Sequence, residues 1–413
     1  MPSAATLEVT VRFQTSPSFG PNLVLGNAGS PLGTGVLSDT ASTPVDITST
    51  VNSVAIRRGR NRLLDKFNAG TCTVELTDTT GLFDPDNGTY ADEILPMRQL
   101  QVRATYSGTS YTLYSGFIDE WDYTYNPGEN AAFMTIKAVD SFRILNLSRV
   151  STVTGGSAGQ TTSTRMGKIL DMISWPASLR DFSTGTGQTT CKVDGGADRD
   201  VLSACQAVNQ TELGAFYTKT NGVIKFMDRN DIVKKHAETP TEFDDTGANI
   251  QYQSVDFDID DTILANDVSV QRVGGTAQNV TDSTSISTYF QRNYSRAGLI
   301  MDSDADALNQ AKMILNNRKD PKLRIGSISL DTYGNVSNRV TAALNTEIMD
   351  PIKVTRTQPG GGTVSRTLSV QGIEHTIRPN SWVTTFQTAE KILDGFILNS
   401  ATSGKLNTNA LSY

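Results

Sequence analysis

Residue types that usually carry chemistry are few in this sequence. Only two histidines occur, His236 and His375, so neither a nucleophile–base–orienter set nor a multi-histidine metal site has the raw material it needs. His236 sits in the polar run VKKHAETP and reads as a solvated linker residue. His375 sits in the alternating run QGIEHTI and reads as packed or hydrogen-bonded in a strand. Asp302, Asp304 and Asp306 alternate as calcium-loop oxygen ligands do. That pattern lacks the glycine and the terminal glutamate of such a loop, and an acidic first helical turn explains the same residues. They are the nearest approach to a calcium site, and no metal is assigned. Asp194, Asp198 and Asp200 around Gly195-Gly196 read as a turn entering a helix. The glycine-rich TGGSAGQTTST lacks the lysine of a phosphate loop, and PGGGT precedes a strand, so neither offers a helix N-terminus to phosphate. Cys72, Cys191 and Cys205 are odd in number and far apart, without the spacing of a disulfide framework or a zinc site. The expectation is a chain with no catalytic residues and no cofactor.

The one basic cluster is RRGRNRLLDK, with Arg57, Arg58, Arg60, Arg62 and Lys66. A nucleic-acid address needs a wider basic face than this. The preferred reading is a tight turn at Gly59 whose arginines, Arg57, Arg58, Arg60 and Arg62, bridge to carboxylates on a neighbouring subunit.

The elements that position these residues are mostly strands. The chain has 413 residues, a formal net charge of −7, 37% hydrophobic residues and only 19% charged ones. Such a polar but weakly charged composition suits many half-buried strands joined by turns, and its acidic balance opposes any bulk grip on DNA. TLEVTVRF, VNSVAIRR, TCTVELTD, QLQVRATY, SYTLYSGFIDEWDY and AAFMTIKAVD alternate apolar with polar residues between turn clusters. Helices are predicted from Thr164 as N-cap to Pro176, from about Asp198 to Leu213, and from Asp302 to Asn317. Asn221-Gly222 between two alternating arms predicts a hairpin. LRIGSISLDTY, PIKVTRTQ, TVSRTLSVQGIEHTI and SWVTTFQTAEK return to strands. The fold class expected is β-dominated α+β: two antiparallel barrel or sandwich domains with a mixed α/β insertion. The first domain spans 1–150, with a long excursion at 15–45. The insertion spans 151–320 and the second β domain 321–395, and a polar tail occupies 396–413. No stretch reaches the roughly 18 apolar residues of a membrane span, and the N-terminus has no secretion-signal pattern, so a soluble product with no stable membrane association is expected.

The segment SVAIRRGRNRLLDKFNAGTCTVELTDTTGLFDPDN, followed by LYSGFIDEWDYTY, TIKAVDSFRILN and TLSVQGIEHTIRPNSWVTTFQTA, resembles minor tail proteins of long-tailed bacteriophages in residues and in order. The excursion at 15–45 departs from the shorter start of that group. The resemblance implies a tail-tip or baseplate hub similar to the central hub of contractile phages. Such a hub is a homotrimer in which two related tube-like β-barrel domains per chain make a pseudo-sixfold ring. It would continue the tail tube, adapt sixfold to threefold symmetry and pass DNA in transit. The partners implied are a distal tail or tube ring and tip or fibre proteins. The location implied is the distal end of the virion tail, after synthesis in the host cytoplasm. A receptor- or carbohydrate-binding protein would need an exposed aromatic platform, whereas Trp121 and Trp382 lie in regular strand patterns. A cell-wall hydrolase would need a catalytic site that the sequence does not display.

Overall fold

The computed structural model describes residues 5–13, 15–19, 43–62, 65–126, 128–182, 187–258, 263–321, 324–333 and 336–390. Most of the 15–45 excursion and the whole 396–413 tail lie outside the described residues. The architecture is β-dominated α+β, as expected. One fourteen-stranded sheet runs through the molecule, and the order of its strands is open, with no closed barrel among the described residues.

The first part of the sheet contains β1 (Thr6–Arg12), β2 (Val51–Gly59), β3 (Asn68–Asp78), β4 (Gln99–Tyr106), β5 (Thr109–Asn126) and β6 (Ala131–Val139). Their spatial order is β2-β3-β6-β5-β4-β1. In β3, Cys72, Val74 and Leu76 are at most 1% exposed while Thr71, Glu75 and their neighbours face out or sit half-buried. Each such buried side chain is worth roughly 1.5–3 kcal/mol, which fixes the strand's register against slippage.

Between the two parts of the sheet lie the helices α1 (Thr162–Asp171), α2 (Val201–Glu212) and α3 (Arg229–His236), with the hairpin of β7 (Ala215–Thr218) and β8 (Ile224–Met227). The predicted hairpin is present, and Gly222 at its turn has φ +83°. The N-cap of α1 is Thr161, not Thr164. Thr161 is extended and its hydroxyl accepts from the Thr164 amide, so the helix starts a turn earlier than the apolar pattern implied. His236 corrects a second expectation. It ends α3 and is 4% exposed, because Ile232, Val233 and His236 share the helix face turned to the core.

The second part of the sheet contains β9 (Thr241–Asp244), β10 (Ser254–Asp258), β14 (Arg324–Asp331), β15 (Pro351–Thr357), β16 (Thr363–Arg378) and β17 (Ser381–Glu390). Helix α5 (Ser337–Asn345) falls between β14 and β15. The spatial order is β10-β14-β17-β16-β15-β9. β9 and β10 belong to the stretch expected as insertion, yet they pair with strands beyond residue 321. A separate module between β10 and β14 holds β11 (Asp267–Arg272), β12 (Gln278–Thr281), β13 (Asn293–Leu299) and α4 (Asp304–Arg318) around its own core of Val268, Val270, Ala307, Ala311 and Ile314. The two parts of the sheet join where residues 372–377 of β16 pair antiparallel with residues 54–59 of β2.

Candidate assembly surface

The arginine turn sits on that junction. Arg58, at the end of β2, is 5% exposed. It donates to the Thr218 carbonyl at 3.0 Å and pairs with Glu347 at 2.8 Å, tying the first sheet to the β7 hairpin and to the segment after α5. Arg60 is 4% exposed. It donates to Gln371 Oε1 at 2.8 Å and to the Asp65 carbonyl at 3.0 Å, with its guanidinium 4.2 Å from the Phe67 ring centre. Burial lowers the Arg60 pKa to about 9, opposed by Asp65. Two of the four arginines expected to reach a neighbouring subunit are therefore engaged inside the chain. The reason is the β2–β16 pairing, which folds the turn against Gln371 and which no local sequence pattern encodes. Arg57 pairs with Glu374 at 3.2 Å across the same junction and remains half exposed, and Arg62 is exposed.

Other ionisable groups hold the frame. Asp140 follows β6 and accepts from the Gly70 amide at 2.6 Å and the Phe142 amide at 2.9 Å. Burial raises its pKa to about 6 despite those bonds and nearby Arg58. His375 is buried within hydrogen-bond reach of Thr384 Oγ1 at 3.0 Å, and Trp382 Nε1 donates to it at 3.4 Å. Desolvation, with Arg58 nearby, lowers its pKa to about 3, so the ring is neutral at ordinary pH. Glu212, which sequence reading did not single out, is fully buried at the end of α2. It accepts from Thr162 Oγ1 at 2.7 Å and from the Thr189 amide at 3.0 Å, and burial raises its pKa.

The calcium candidates do not converge. Asp304 pairs with Arg272 at 2.5 Å and Asp306 bonds to Ser303, the N-cap of α4, at 2.9 Å, while Asp302 contributes its amide to the Thr190 carbonyl. Among the described residues no group of three histidine, cysteine or acidic side chains could hold a metal ion. All three cysteines are buried, and burial pushes every thiol up, Cys191 to about 12. Trp382 is 4% exposed and Trp121 donates to the Leu95 carbonyl at 3.0 Å, so both tryptophans are framework residues. A cleft of about 600 Å³ opens beside β10, with Arg62, Phe257, Arg318, Asp320, Arg324 and Glu390 on its walls. Its charges are of both signs, which suits a protein surface better than a phosphate or a metal. Among the described residues no helix is long and apolar enough to cross a membrane.

The described residues offer ion-paired seams and strand edges, and the fold is that of phage tail proteins. In structure it is similar to the tail protein from Neisseria meningitidis MC58, with a TM-score of 0.57 and 10% identity over 94% of this chain and 97% of that one. It is also similar to the 43 kDa tail protein of prophage MuSo2 from Shewanella oneidensis, with a TM-score of 0.54 and 12% identity over 84% of this chain and 96% of that one. No family model matches the chain. No curated protein matches it in sequence.

Proposed function

We propose that this chain is a structural protein of a phage tail that works by assembling, not by catalysis. It forms a homotrimeric hub at the tail tip or baseplate, at the distal end of the virion tail. The observation that carries the reading is the match to two tail proteins over nearly the full length of each partner, including the 94% and 97% shared with the Neisseria protein. In this reading the hub continues the tail tube, adapts its sixfold symmetry to a threefold tip, and receives a distal tail or tube ring on one side and tip or fibre proteins on the other. DNA is a partner only in transit. Arg57 and Arg62, the two surface members of the arginine turn, remain candidates for contact with a neighbouring subunit. The excess of acidic residues that gives −7 per chain would line such a conduit with like charge to DNA phosphates and leave nothing for counterion release to hold. Native mass spectrometry and cryo-electron microscopy of the full chain test this. A three-copy particle with an axial channel is expected; a monomer that stays a monomer at tens of micromolar, with or without other tail proteins, overturns it.

A further inference from the structure

The two parts of the sheet are one five-stranded unit used twice, and among the described residues the repeat leaves one strand edge open in each unit. Taken in chain order, β2, β3, β4, β5 and β6 of the first unit stand where β10, β14, β15, β16 and β17 stand in the second, since the spatial orders β2-β3-β6-β5-β4 and β10-β14-β17-β16-β15 coincide. The irregularities coincide as well. The β5–β6 register slips between Ile118 and Glu120, and the β16–β17 register slips between Val370 and Gly372. Just before β4, Met97 has φ +66°, and it donates to the Ile118 carbonyl while the Ile118 amide donates to Arg98. Just before β15, Met349 has φ +73°, and it donates to the Val370 carbonyl while the Val370 amide donates to Asp350. A left-handed non-glycine residue is uncommon, and finding one at the same place with the same pair of bonds marks a repeat in the fold.

The edges differ. The far half of β16, residues 372–377, has β17 on one side and β2 on the other. Its counterpart, residues 120–125 of β5, has β6 on one side and, among the described residues, no strand on the other. β2 has β3 and β16 as neighbours, whereas its counterpart β10 has only β14 among the described residues. Among the described residues, each chain thus makes the β16–β2 contact once inside itself and presents the two matching halves of the same contact unfilled.

We infer that the far half of β5 in one copy pairs antiparallel with β10 of a neighbouring copy, repeating between chains the seam that β16 and β2 make within a chain. The inference rests on the ring proposed above and names its joint. The contact is heterologous, head to tail, which is the kind that closes into rings. Open edges with exposed apolar side chains are otherwise a liability, and these edges carry Tyr125 at 59% exposure and Phe257 at 39%, with Phe133 of β6 at 40% opposite Thr124. Three carboxylates at or beside the two edges are already engaged within the chain: Asp119 with Arg143 at 2.5 Å, Glu120 with Lys137 at 3.0 Å, and Asp256 with Ser327 at 2.8 Å.

The repeat also sets the register. Lys137 and Gln387 lie opposite the residues just past the two slips, Glu120 and Gly372. They therefore occupy one place, as do their next neighbours Thr73 and Ser327, and then Ala55 and Asp256. Ala55 faces Thr376 and Val54 faces Ile377. By the same offsets Asp256 faces Thr124, and Val255 faces Tyr125, of the next copy.

Cysteine crosslinking tests the register on exposed positions. The full chain carrying Asp256→Cys and Thr124→Cys is oxidised with copper–phenanthroline, beside a chain carrying Asp256→Cys and Asp122→Cys. Facing strand positions have Cα atoms about 4.5–5.5 Å apart, within disulfide reach, and a two-residue slip along the strand adds roughly 6.6 Å. The expected result is two- and three-chain bands on non-reducing gels from the first pair, at least about fivefold stronger than from the second, with each single variant staying monomeric on the gel. Native mass is read on the same samples. An oligomer in which the two pairs crosslink equally or not at all overturns the seam and leaves the ring standing. A monomer by native mass overturns the ring, and the seam with it.

Discussion

Asp140 is a carboxylate on which β3, the end of β6 and the following turn converge through the Gly70 and Phe142 amides. Its pKa of about 6 lies above the ~3.9 of an unfolded aspartate, so between those values the folded chain holds a proton that the unfolded chain has lost. Its contribution to stability is therefore complete below about pH 4 and falls away as pH rises toward 6. At roughly 1.4 kcal/mol per pKa unit, the decline is up to about 3 kcal/mol. Urea unfolding at stepped pH checks this: relative to Asp140→Asn, the wild type loses stability from pH 4 to pH 6, and parallel curves would show that Asp140 does not titrate there. Single residues were legible in the sequence only where their strand was. The alternation around His375 placed it in a packed strand, where it lies. Arg58 and Arg60 read as outward-facing because their partners, Glu347 and Gln371, lie hundreds of positions away and come near only when the two sheet parts join.

At the scale of elements, the Asn221-Gly222 turn shows how a local signal acquires a distant partner. A Cβ at Gly222 would come within 2.5 Å of the ring of Phe19, which is 5% exposed and packs at a tilt against Phe117 at the foot of the long excursion. Gly108 has the similar φ of +81°, but with nothing within 4 Å of its missing Cβ. Gly108→Ala should cost about 1 kcal/mol for the backbone conformation alone, and Gly222→Ala about 2–3 kcal/mol, the excess measuring the displaced Phe19. Equal urea midpoints for the two variants would refute that packing role. Strands with one buried face, such as β3 and β6, were readable from alternation, and the three long helices from their apolar spacing. β9 and β10 were not. They are only 4 and 5 residues long and carry four acidic residues between them, so nothing local distinguishes them from a loop. What makes them strands is pairing with β15 and β14.

At the scale of the molecule, the acidic balance yields a further prediction. The chain should not retard duplex DNA in a gel at about 0.15 M salt, and retardation that weakens steeply with salt would contradict the conduit reading. The β-dominated class was legible from composition and turn spacing, because both follow from short elements that bury one face each. The repeat was not legible, because its two units share topology and almost no residues. One trace is that DEILPMRQ and NTEIMDPI each place a methionine shortly after Glu-Ile, and these are the left-handed Met97 and Met349. Having both units on one chain also separates their fates. Between its first two strands the first unit has only the turn around Arg60, while the second has the whole module from β11 to α4. A ring of single-unit chains would have to carry that module at every position or at none. A chain that holds the unit twice can place it at every other position, and so can set the spacing of whatever is attached there without a second gene.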